Sequence, residues 1–138
     1  MGWKTSIILI NSEKKFDKDV FFESINYFDL QQSEAQFFEE IMNPDDNKIC
    51  IGKYNGNTII CMQELPLESM GELLSEAETL LCNAFPNVDI VSFVLHSFMN
   101  LWGYSIVRNG EKIRVRVGSS EEGTIVEYGE ILLSLIHI

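Results

Sequence analysis

The stretch Leu101-Trp102-Gly103-Tyr104-Ser105-Ile106-Val107-Arg108-Asn109-Gly110-Glu111-Lys112-Ile113-Arg114-Val115-Arg116-Val117 decides the fold class. Two runs rich in β-branched and aromatic residues meet at Asn-Gly, the pair that tolerates positive φ in a type I′ turn, so a hairpin with Arg108 facing Glu111 is expected. Uninterrupted counting outward places Trp102, Tyr104, Ile106, Ile113, Val115 and Val117 on one face. Ser105, Val107, Lys112, Arg114 and Arg116 fall on the other. The first face reads as core and the second as charged surface.

The same signal recurs upstream. Lys48 to Cys61 holds two apolar runs joined through Asn55-Gly56, which sets Tyr54 opposite Asn57 and Cys50 opposite Cys61. A cross-strand disulfide is conceivable by distance, and two reduced thiols filling core is the favoured alternative. The three cysteines, Cys50, Cys61 and Cys82, all lie in apolar runs. An odd number without paired metal spacing argues against a disulfide framework and a zinc site, and for a reducing cytoplasm.

Between the hairpins, Asp89 to Leu95 is apolar on both alternating faces, as in a central strand covered on each side. Ser6 to Ile10 reads as a first strand and Thr124 to Tyr128 as a last one. Asp17 or Asp19 can cap a short helix carrying Val20, Phe21, Ile25 and Phe28. Ser33 with Gln36 opens a second helix that Asn43-Pro44 stops. Ser69 with Glu72 opens a third, its stripe running from Met70 to Ala84, with Glu68, Glu72, Glu76 and Glu78 turned to solvent. Strands thus cluster at both ends around two to three helices, without a repeating βαβ unit. The expectation is an α+β fold with a largely antiparallel sheet, one domain spanning residues 1–138.

Composition narrows the function. The chain has 138 residues, 46% hydrophobic, with nine Phe, four Tyr and two Trp. That is ample for one core. Ten basic against 21 acidic residues give a formal charge of −11, which repels nucleic acid and anionic membranes and suits a basic protein partner better. No stretch approaches a membrane span, and the apolar start is too short for a secretory segment. Nucleotide-binding, zinc-protease, EF-hand and serine-hydrolase signatures are all missing, so no cofactor or metal is expected.

Few residues remain that could carry chemistry. His96 ends the central strand, and Ser97 beside it would point to the opposite face, which argues against a dyad. His96, Asn100, Trp102 and Tyr104 form a candidate ligand site, in which aromatic and amide groups would stack and orient a flat ligand. Core packing with satisfied polar tips is the competing reading for each. Lys112, Arg114 and Arg116 form a cationic row that could grip an anion or a partner; pairing with the chain's own acids competes.

The segments Met1-Gly2-x-Lys4-Thr5, Cys50-x-Gly52, Leu95-His96-Ser97, Leu101-Trp102-Gly103-Tyr104 and Asn109-Gly110-x-Lys112-Ile113-Arg114 together resemble a bacterial family of uncharacterised proteins, a domain of unknown function. The resemblance spans most of the chain and implies a single domain; it supplies no activity. Ser134-Leu135-Ile136-His137-Ile138 resembles translated adaptor sequence, so residues from about 132 to 138 are read as a non-native end of a truncated protein, or else as an ordinary final strand. Two functions follow. The first is an interaction module, adaptor or immunity-like, binding a basic protein. The alternative is a small-ligand protein or enzyme with a site near His96 and a small anionic ligand; an enzyme ranks lower, and the oligomeric state is open.

Overall fold

Alternation in Lys4–Ile10 makes this segment β1: Ile8 and Ile10 are 1% and 0% exposed on one face, while Ile7 and Leu9 are only half-buried on the other. β1 is flanked by strands on both sides, antiparallel to each. Ile8 faces Ile60 of β3 (Asn57–Cys61) and Ser92 of β4 (Asp89–His96). With β2 (Cys50–Tyr54), β5 (Leu101–Arg108), β6 (Glu111–Ser119) and β7 (Gly123–Gly129) the sheet has seven strands in the order β2-β3-β1-β4-β5-β6-β7. The computed structural model describes residues 4–27, 48–96 and 100–129. Within them three helices accompany the sheet: α1 (Lys18–Ser24), α2 (Glu64–Glu68) and α3 (Glu76–Ala84), an α+β architecture.

Local chemistry explains the helix starts. Asp17 caps α1, its carboxylate accepting from the Val20 amide at 3.1 Å, and Phe21 and Phe22 turn inward. The helix expected from Ser69 is broken instead. Ser69 closes α2, its hydroxyl donating to the Leu65 carbonyl at 3.0 Å, and Leu73, expected in the apolar stripe, is 84% exposed. The capping box belongs to Ser75 and Glu78, with reciprocal bonds of 3.1 and 3.0 Å. Ser-x-x-Glu occurs at both places, but Gly71 would sit in the first turn of the earlier one, where glycine costs about 1 kcal/mol relative to alanine. The helix expected from Ser33 to Met42 lies outside the described residues.

All three helices cover the same face of the sheet. Phe22, Leu81 and Phe85 pack there on Ile8, Ile10, Ile90 and Val107. A smaller cluster of Met70, Val94, Val115 and Val117 continues the layer towards β6. β4 is therefore the middle strand, but the expectation that it is covered on both faces is corrected. Ile90 and Val94 are buried under the helices, whereas Phe93 and Leu95, on the other face, are 43% and 44% exposed. Among the described residues no helix packs on that side.

The second correction concerns β5 and β6. Val107 faces Lys112, yet Ile106 faces Arg114, a register shift that leaves Ile113 as the extra residue of a β-bulge. A slip of one residue inverts every side chain beyond it. Trp102, Tyr104 and Ile106 consequently share their face with Arg114 and Arg116, while Val115 and Val117 join Ser105, Val107 and Lys112 under the helices. Opposite the bulge stands Gly129, at φ 90°, where a side chain would strike the Ile113 carbonyl.

Candidate functional site

The face turned away from the helices is organised as cross-strand rows, buried at Ile106 and Arg114 (3% and 2% exposed) and open at Phe93 and Leu95. One row runs Ile7, Phe93, Tyr104, Arg116, Glu127 across β1, β4, β5, β6 and β7. Its neighbour runs Thr5, Leu95, Trp102, Gly118, Thr124. Between them lies a shallow open trough lined by Thr5, Ile7, Phe93, Leu95, Trp102 and Tyr104, apolar almost throughout. Trp102 lies over Gly118, where a Cβ would come within 2.8 Å of the indole Cη2 atom and 2.6 Å of the Gly123 carbonyl oxygen. Glycine thus gives the ring its seat.

Two arginines border the trough with different degrees of engagement. Arg114 is held from three sides, donating to the Tyr104 hydroxyl at 3.3 Å, the Gly129 carbonyl at 2.7 Å and the Glu127 carboxylate at 2.8 Å. Hydrogen bonding to Arg114 holds the Glu127 carboxyl below its ordinary range. Arg116 stacks over Trp102, its guanidinium carbon 5.4 Å from the ring centroid, and donates to the Thr124 hydroxyl at 3.3 Å. Its Nε is buried without a hydrogen-bond partner. Of the chain's three arginines, Arg108 and Arg114 hold carboxylates and Arg116 holds none among the described residues.

The cationic row expected of Lys112, Arg114 and Arg116 is therefore split between the two faces. Lys112 turns into the core, its side chain 3% exposed, donating to both carboxylate oxygens of Glu78 (2.9 and 3.0 Å), the Ser69 carbonyl and the Ser105 hydroxyl (both 2.7 Å). Glu78, expected to face solvent, is its buried counterpart at 2% exposure. Lys112 and Ser105 have the spacing of a base and nucleophile, but Ser105 is 0% exposed and no substrate reaches it.

The four residues expected to share a ligand site do not converge. Trp102 and Tyr104 lie on the open face. His96 lies on the helix-covered face at the end of β4, between Lys4 and Leu101, its Nδ1 buried and unpartnered. Burial and the Lys4 ammonium lower its pKa. Asn100 takes the left-handed conformation, φ 51°, and its carbonyl accepts from the Ser120 amide at 3.2 Å, extending the β5–β6 pairing beyond Leu101 and Ser119. Sequence reading missed Phe93 and Leu95 as site residues; their strand is legible, but alternation does not say which face is left bare.

Cys50 stands opposite Cys61, and no disulfide joins them. Burial, then Cys50, pushes the Cys61 thiol from 9.0 up to about 11. Stability linked to this group is present below about pH 9 and declines between about pH 9 and 11, where only the unfolded chain ionises. In the native protein at pH 8, alkylation of Cys61 should run about 100-fold slower than in the denatured chain, in proportion to the thiolate present. Peptide mass spectrometry after timed iodoacetamide exposure reads this; equal rates would place the thiol in solvent.

Among the described residues no cluster of His, Cys, Asp and Glu could hold a metal ion, and no helix is long and apolar enough to cross a membrane. No curated protein and no solved structure matches the chain. The model of a family of unknown function, DUF6928, matches residues 24–133. That match takes in β2 through β7 and every member of the two rows except Thr5 and Ile7 of β1, and on its extent the chain belongs to the DUF6928 family, whose function is unknown.

Proposed function

We propose that this chain is a protein-interaction module that docks its partner on the open face of the sheet, over Phe93 and Leu95. One observation carries the reading: the middle strand of a seven-stranded sheet presents two large apolar side chains at 43% and 44% exposure, side by side with Trp102 and Tyr104. Clustered exposed apolar groups bounded by polar ones mark interaction sites, and aromatic residues with arginine dominate binding energy at such places. The trough is wide and shallow, which suits a segment of another protein better than an enclosed small molecule. An adaptor or immunity-like role in the cytoplasm fits this reading.

Photocrosslinking tests it directly. With p-benzoylphenylalanine at Phe93, cells that express the protein natively should yield a discrete adduct on irradiation. The same group at Leu73, which is 84% exposed on the helix side, should yield none. No adduct at Phe93, or the same adduct from both positions, would defeat the proposal.

A further inference from the structure

We infer that the open face recognises an extended peptide segment whose apolar side chains fill the trough and whose carboxylate is received by Arg116. The inference rests on the docking reading above and assigns the chemistry of the partner. It starts from local charge. The chain carries −11 overall, which by itself points to a basic partner. At the edge of the trough the balance is reversed. Arg114 and Arg116 contribute two positive charges, Glu127 one negative, and Glu127 is bonded to Arg114 at 2.8 Å. Arg116 makes no direct ion pair among the described residues: Glu127, opposite it across the strands, is bonded to Arg114 and meets Arg116 only through its charge.

Arg116 is also placed to receive a carboxylate. Its position over Trp102 and its bond to the Thr124 hydroxyl restrict the guanidinium, and pre-organised forks lose less freedom when they bind a carboxylate. The row Ile7, Phe93, Tyr104, Arg116 leads from apolar to aromatic to cationic within the reach of adjacent strands. Phe93 and Arg116 stand two strands apart, roughly 10 Å. In an extended peptide, residues two apart face the same side at about 7 Å, and the lengths of Arg and Glu side chains cover the rest. The sequence that fits is apolar-x-apolar-x-acid, its alternate side chains turned to the sheet. A second copy of this chain fits less well, because two bodies of −11 repel one another as they approach.

The probe is the peptide acetyl-Leu-Ala-Leu-Ala-Glu-amide, with its Gln and Lys counterparts and with octanoate as a non-peptide apolar anion. Binding is followed by amide shifts in ¹⁵N-labelled protein at low salt. The Glu peptide should shift Phe93, Leu95, Trp102 and Arg116 and bind about tenfold tighter than the Gln peptide, a difference that shrinks as salt rises. Arg116→Gln should erase the difference, and Arg116→Glu should reverse it in favour of the Lys peptide. Equal binding of the Glu and Gln peptides to the unaltered protein overturns the inference without need of any variant. So does tighter binding of octanoate at the same residues, or sedimentation of the free protein as a dimer through this face. Each of these results leaves the Phe93 crosslinking to decide separately whether the face docks a partner at all.

Discussion

Replacing Lys112 by Ala should destabilise the fold by about 3–5 kcal/mol, because it strands a buried carboxylate. Glu78 is 2% exposed and its two oxygens accept from Lys112 at 2.9 and 3.0 Å. Without Lys112, only the Ser75 amide and the Ser105 hydroxyl, at 3.0 and 3.2 Å, would remain to it. Neither supplies a compensating charge. The Ser69 carbonyl at the end of α2 would lose a donor as well, so the variant should loosen α2, α3 and β6 together. Urea unfolding at constant m value measures the loss. The double variant Lys112→Met, Glu78→Leu should recover most of it, since apolar replacement of both partners is close to neutral. It should still lack about 1 kcal/mol, from the capping bond that Glu78 gives α3. A single variant within about 1 kcal/mol of the original would mean that water reaches the pair.

That ion pair also explains the part of the fold hidden from sequence reading. Lys112 and Val115 are both buried on the helix-covered face, 9% and 0% exposed, yet they are three residues apart. Strict alternation sends residues three apart to opposite faces. One extra residue must intervene, and Ile113 is it. Uninterrupted counting is sound while nothing fixes two positions of conflicting parity, as from Tyr54 opposite Asn57 to Cys50 opposite Cys61. In β6 a helix 34 residues earlier in sequence fixes one of them, through Glu78. The alternation within each strand and the Asp17 cap were legible because their causes lie within a few residues. The choice between two Ser-x-x-Glu boxes was legible only in part: Gly71 disfavours the earlier one locally, while Lys112, far along the chain, holds Glu78 of the later one.

The candidate site was legible to the same degree. Trp102, Tyr104, Arg114 and Arg116 stand out by residue type, but the bulge decides that they share a face. Were the ladder continuous, the arginines would lie under the helices and the aromatic residues alone would face outward. The irregularity that lets Lys112 meet Glu78 is also what brings Arg116 over Trp102, so the core ion pair and the arrangement of the opposite face depend on one backbone feature.

Phe85 and Phe93 should respond to truncation very differently. Phe85, 2% exposed, ends α3 and packs against Phe16 with ring centroids 5.1 Å apart. Phe85→Ala removes a fully buried ring from a layer fixed on both sides and should cost about 3–5 kcal/mol, transfer and cavity together. Phe93 is 43% exposed and opens to solvent, so Phe93→Ala leaves no enclosed cavity and should cost about 1 kcal/mol. Chemical unfolding of both variants at several protein concentrations measures the contrast. A loss at Phe93 as large as at Phe85 would mean that its ring is covered in solution. If that loss faded on dilution, the cover would be a second copy; if it persisted, the chain itself would be the cover and no partner could dock there. A small loss at Phe93 leaves an aromatic residue at the centre of the sheet contributing little to stability. On the docking proposal, Phe93→Ala should then abolish peptide shifts at Leu95 and Trp102 while the fold stays intact.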